Sequence, residues 1–120
     1  MNPAPESFQV NVSYSKSGAR VLGLVGPLTI RTLFDFQAIS RQESDKSVII
    51  DISGCPYMDS AGLGSVISVF TTCQSSNRGF ALFGLTDRIR TLLKVTHVDG
   101  LLPNFETLDE ADEVVSKFSK

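Results

Sequence analysis

Val48-Ile49-Ile50-Asp51-Ile52-Ser53-Gly54-Cys55-Pro56-Tyr57-Met58-Asp59-Ser60-Ala61-Gly62-Leu63-Gly64 joins two segments of different hydrophobic period. Val48, Ile49, Ile50 and Ile52 form a short β-branched run with polar flanks, the pattern of a buried strand. Leu63, Val66, Ile67, Phe70 and Cys73 recur at spacings of three and four, which is one face of a helix. Gly54 and Pro56 build the turn between them, and either Asp59 or Ser60 offers a side chain able to cap the helix. Ser60 is thus expected at a helix N-terminus, just past the C-terminal end of a central strand. At that edge of an α/β sheet ligand and partner sites gather.

The chemistry of such a position follows from its backbone. A helix N-terminus presents unpaired N–H groups and the positive end of the macrodipole, so it stabilises an added anion. A phosphate on Ser60 would bring a charge of about −1.5 to −2. Gly62 and Gly64 keep the first turn free of bulk, which would let another protein approach the hydroxyl closely. The residues alone also fit a plainer reading, in which Ser60 is an ordinary cap and the glycines serve tight packing.

Outward from this stretch the chain alternates strand and helix signals. Residues 1–7 are polar with two prolines and are expected to form a loose, flexible tail. Phe8, Val10, Val12 and Tyr14 alternate with polar residues, a strand with one wet face near a sheet edge. Ser15-Lys16-Ser17-Gly18 is turn chemistry, so Arg20–Gly26 should return as the second strand of a hairpin. After Pro27, Thr29 is the expected cap of a first helix with Leu33, Phe34, Phe36 (or Gln37) and Ile39 inward. Residues 41–46 make a polar linker. The Ser60 helix should end near Asn77, and Phe80–Phe83 reads as another buried strand. Thr86 or Asp87 caps a short helix with Ile89, Leu92 and Leu93 inward. A short last strand near Asn104–Glu106 precedes Thr107-Leu108-Asp109-Glu110, which has the form of a capping box. It opens a terminal helix with Leu108, Ala111, Val114, Val115 and Phe118 on one face. The order is β-β-α-β-α-β-α-β-α: an α/β fold with a mixed sheet of about five strands and about four helices packed against it.

At 120 residues, with 42% hydrophobic and 20% charged residues, the chain has the composition of one soluble globular domain, expected over residues 8–118. A net charge of −2 gives no case for nucleic acid or an anionic membrane as partner. No apolar run is long enough to span a bilayer, and Met1–Glu6 is no signal peptide, so a cytoplasmic location with Cys55 and Cys73 reduced is expected.

Other chemistries find weaker support. A nucleophilic triad would need Ser60, the only histidine, His97, and Asp59 or Asp99, but Asp59-Ser60-Ala61-Gly62 lacks the Gly-x-Ser-x-Gly elbow of hydrolases. His97 fits a solvated loop better, and no enzymatic activity is expected. Two distant cysteines and one histidine supply no metal site, and the absence of a Walker-type loop leaves no cofactor to argue for. Cys55 has a weak claim as a redox-sensitive thiol, and Cys73 reads as core. Arg88 and Arg90 on the third helix could flank the Ser60 end but fit a solvated face.

Asp59-Ser60-Ala61-Gly62-Leu63-Gly64, following the strand Val48–Ser53, resembles the signature of the STAS family, which includes the bacterial anti-sigma factor antagonists (anti-anti-sigma factors). Gly79–Phe83, Ile89–Leu93 and Val98–Leu101 are similar to the family's following strand, helix and loop, and the likeness extends from about Phe8 to Phe118. The resemblance implies a sheet with strands on one side and helices on the other. It also implies a protein-binding module: the unphosphorylated antagonist binds an anti-sigma factor that is itself a serine kinase and so frees the sigma factor. Phosphorylation of the serine after the aspartate, Ser60 here, releases the partner, and a PP2C-type serine phosphatase resets the switch. The partner-binding segment implied is Met58, Asp59, Ser60, Ala61, Gly62, Leu63 and Gly64. Ala61 stands where many members carry a second serine, and Gly26-Pro27-Leu28-Thr29 lacks the acidic residues many antagonists have there. The alternatives are a constitutive STAS subunit of a signalling or transport-ATPase assembly, never phosphorylated, and a small-ligand sensor that holds an anion at the same helix end.

Overall fold

The computed structural model describes residues 7–118. Most of the expected N-terminal tail, residues 1–6, lies outside the described residues, as do residues 119 and 120. The strands are β1 (Gln9–Tyr14), β2 (Arg20–Val25), β3 (Val48–Gly54), β4 (Phe80–Phe83) and β5 (Asn104–Phe105). The helices are α1 (Leu33–Ser40), α2 (Ser60–Ser75), α3 (Asp87–Val95) and α4 (Leu108–Ser116). The five strands form one sheet in the order β1-β2-β3-β4-β5, with β1 antiparallel to β2 and every other pair parallel. The mixed sheet of the expected order is therefore present.

Strand alternation divides the core in two. Leu22, Leu24, Val48, Ile50, Ile52, Phe80 and Leu82 face one way and pack with Leu33 and Phe36 of α1, Leu63, Val66 and Cys73 of α2, and Ile89 and Leu93 of α3. Val21, Ile49 and Ala81 face the other way and meet Ala111 and Val115 of α4. The expectation of all helices on one side is thereby corrected, since α4 covers the opposite face. The cause is the row of apolar residues on that second face, Val21, Ile49 and Ala81, which pair across three neighbouring strands and must be covered.

Four further expectations change in detail. Thr29 does not cap α1: the helix opens at Leu33 after Thr32, and Thr29 instead makes the preceding turn, its carbonyl accepting from the Thr32 and Leu33 N–H groups at 3.0 and 2.8 Å. Phe34 points outward, 66% exposed, while Leu33 and Phe36 are buried. On β1, Val10 packs on the core but Val12 and Tyr14 do not. Tyr14 lies beside the polar turn after α1, where its hydroxyl donates to the Glu43 carboxylate. Phe118 is 47% exposed rather than packed inward.

Arg20 fastens α1 to the sheet. It is fully buried at the start of β2, and its guanidinium donates to the carbonyls of Ile39, at 2.7 Å, and Gln42 while its Nε lies 3.3 Å from Glu43. Those carbonyls belong to the end of α1 and the turn beyond it, where the helix ladder runs out, although the Ile39 carbonyl also accepts from the Gln42 N–H at 3.2 Å. Local caps act elsewhere, with Thr86 rather than Asp87 serving α3. Thr86 accepts from the Ile89 N–H at 3.2 Å, and Thr107 with Glu110 completes the capping box of α4.

Candidate functional site at the N-terminus of α2

β3 leaves the sheet at Gly54, and the chain reaches α2 through a turn tied to the segment after β2. The Gly26 N–H donates to the Gly54 carbonyl at 2.9 Å and the Leu28 N–H to the Tyr57 carbonyl at 3.2 Å. Asp59 in turn donates its N–H to the Leu28 carbonyl at 3.3 Å, and Leu28 forms a parallel bridge with Met58. Beneath this turn Cys55 is fully buried and donates its thiol to the Tyr57 carbonyl at 3.3 Å. Burial pushes its pKa up, so it is held as an unreactive thiol, contrary to a redox role.

The capping ambiguity resolves in favour of Asp59. Its Oδ1 accepts from the Gly62 N–H at 2.8 Å and its Oδ2 from the Ile30 N–H at 3.0 Å. One carboxylate thus caps α2 and pins the loop ahead of α1. Burial alone would raise the Asp59 pKa, but the N–H groups of Gly62, Ile30 and Ala61 outweigh it and hold the carboxyl below its usual value. Asp59→Ala should cost about 1 kcal/mol of stability near neutral pH, read by urea denaturation. Because the folded pKa is depressed, that contribution is complete above the ordinary carboxylate pKa and fades as pH falls through the folded value. The wild-type advantage over Asp59→Ala should therefore shrink in acid, and a gap independent of pH would refute the charged cap.

With the cap assigned to Asp59, Ser60 is the first residue of α2 and is exposed. Ala61 is half-buried and Gly64 lies in open space at the surface. The other residues of the expected contact segment are withdrawn from it. Met58 and Leu63 are 7% and 5% exposed and belong to the core. Gly62 is buried against the neighbouring loop: a Cβ there would lie 2.0 Å from the Leu28 carbonyl oxygen. Its role is the close approach of two backbones, which corrects its expected role of opening a path to the hydroxyl.

One residue that periodicity missed, Ile30, is held at this end. Ile30 and Phe34 are 58% and 66% exposed, and Ile30 is bonded through its backbone to Asp59. Ile30 belongs to no periodic apolar set, and Phe34 was assigned inward on an irregular helical face. Ile30 comes to Asp59 only through the pairing of the two loops. Arg88 reaches the site from α3, its guanidinium 4.9 Å from the centre of the Tyr57 ring, whereas Arg90 is solvent-exposed. His97 is exposed just beyond the C-terminal end of α3. Since α3 starts at the same sheet edge as α2 and runs back, the structure does not bring His97 to Ser60. Among the described residues no three His, Cys, Asp or Glu side chains are grouped to hold a metal, and no helix is long and apolar enough to cross a membrane.

A mixed sheet with helix N-termini at the carboxyl edge of its parallel strands, and an exposed serine after a capping aspartate, defines the class. The family model for the STAS domain matches residues 12–111, and the chain belongs to that family. The anti-sigma-B factor antagonist of Staphylococcus aureus is 24% identical over 83 residues, spanning 69% of this chain and 77% of that protein. An anti-sigma factor antagonist from Mycobacterium paratuberculosis superposes with a TM-score of 0.78 at 22% identity, over 93% of this chain and 97% of that one. The Bacillus cell fate determinant SpoIIAA in its phosphorylated form gives 0.66 at 18% identity, over 91% and 99%. These structural likenesses carry the fold.

Proposed function

We propose that this chain is an anti-sigma factor antagonist switched by phosphorylation of Ser60. Unphosphorylated, it binds an anti-sigma factor with serine kinase activity; the phosphate releases that partner, and a PP2C-type phosphatase restores binding. The observation that carries this reading is the exposed Ser60 hydroxyl, relieved of capping by Asp59, which also holds the backbone of the exposed Ile30. The partner surface comprises Asp59, Ser60, Ala61 and Gly64 with Ile30 and Phe34, while Met58, Gly62 and Leu63 support it from beneath. An added dianion inside such an interface must be desolvated beside the Asp59 carboxylate, and repulsion then favours release.

Phosphate incorporation tests this directly. Wild type and Ser60→Ala are incubated with ATP and extract of the source organism, then read by intact mass and peptide mapping. The expected result is a single phosphate on wild type, mapped to Ser60 and absent from the variant. No phosphate on either protein, with a stable complex recovered from the same extract, would replace the switch by a constitutive subunit.

A further inference from the structure

Helices packed side by side on a sheet ordinarily meet through apolar side chains. The seam between α1 and α2 follows this rule only in part. Ser65, Ser68 and Thr72, at spacings of three and four, line a gap there with Ser40 of α1 and the apolar Val48, Val69 and Cys73. The Ser65 and Ser40 hydroxyls donate within their own helices, to the Gly62 and Gln37 carbonyls at 2.6 and 3.0 Å. An open cavity of about 190 Å³ lies between the two helices. Arg41 and Arg78 line it, and no acidic side chain does. Glu43, the nearby carboxylate in the turn after α1, is engaged by Arg20 and Tyr14. Arg78 donates from Nη1 to the Lys46 carbonyl at 3.0 Å, but its Nε is buried with no hydrogen-bond partner among the described residues. Buried donors are rarely left so.

We propose that this seam binds a small organic anion, a compact molecule carrying a carboxylate or phosphate group. Arg41 and Arg78 supply the charge and the forked donors such a group takes, and the Ser68 and Thr72 hydroxyls bond its body. The cleft is short and open to solvent, which suits a compact organic acid of a few carbons. None of its lining residues belongs to the Ser60 end, so the site stands whether or not Ser60 is a switch.

An amide NMR titration of the full chain tests this with 3-phosphoglycerate, succinate and inorganic phosphate as probes. The same titrations are run on Arg41→Glu and Ser68→Leu, both at exposed positions where folding should survive. The expected result is saturable shifts at Ser65, Ser68 and Thr72 with at least one organic anion at low-millimolar concentration. Arg41→Glu should weaken binding about tenfold or more, the loss of one charge-assisted contact, and Ser68→Leu should abolish it. The proposal is overturned by the absence of saturable shifts with all three probes. It is equally overturned by shifts confined to the Ser60 end, by shifts unchanged in both variants, or by inorganic phosphate binding as tightly as the organic anions.

Discussion

Gly62→Ala should leave the chain unfolded or far less stable than wild type, although it adds only a methyl group. A Cβ at this position would sit 2.0 Å from the Leu28 carbonyl oxygen and 2.7 Å from its carbon, both backbone atoms. Leu28 cannot step aside cheaply. Its N–H bonds to Tyr57, its carbonyl accepts from Asp59, and its side chain is fully buried. The cost should exceed the roughly 1–3 kcal/mol of ordinary overpacking, a large part of the 5–15 kcal/mol that holds a domain together. Gly64→Ala, two residues along the same helix in open space, is the matched control. It should stabilise by up to about 1 kcal/mol, because alanine is the better helix former. Circular dichroism melts of the two variants decide the matter. A Gly62→Ala protein melting close to wild type would show that the loop before α1 does not hold the contact described.

The contrast between these glycines marks where the sequence stops being readable. Both fall in one hexapeptide and both look like clearance around a serine, yet what separates them is a loop more than thirty residues earlier in the chain. Local physics was legible: the Thr107–Glu110 capping box forms as its spacing predicts, and the α3 cap, open between Thr86 and Asp87 in the sequence, falls to Thr86, both with partners three residues away. Asp59 and Ser60 were interchangeable as caps because each carries an oxygen within reach of the first turn. What separates them structurally is that Asp59 has a second task, holding the Ile30 N–H. The outward turn of Phe34 and the placement of α4 are likewise tertiary outcomes. The apolar run Val48–Ile50 put Ile49 on the second face of the sheet, where it pairs with Val21 and Ala81 and needs cover, but nothing local said which helix would supply it.

Ser60→Asp should weaken binding to an anti-sigma factor by a hundredfold or more while leaving the melting temperature nearly unchanged. Stability is spared because Ser60 is exposed at the first position of α2, where a negative charge is favoured by the helix dipole. Binding suffers because the same charge, joined to Asp59, must be desolvated against whatever the partner presents there. Unfavourable charge placement in an interface costs several kcal/mol, and each 1.4 kcal/mol is about tenfold in affinity. Ser60→Ala removes the hydroxyl without adding charge and should bind within a few-fold of wild type. The pair therefore separates charge from contact. Calorimetric titration of the three proteins against the anti-sigma partner, alongside their melts, gives the answer. Equal affinities for wild type and Ser60→Asp would sink the switch. Loss of binding in Ser60→Ala to the same extent as in Ser60→Asp would make the hydroxyl a contact and leave the phosphate nothing further to disrupt.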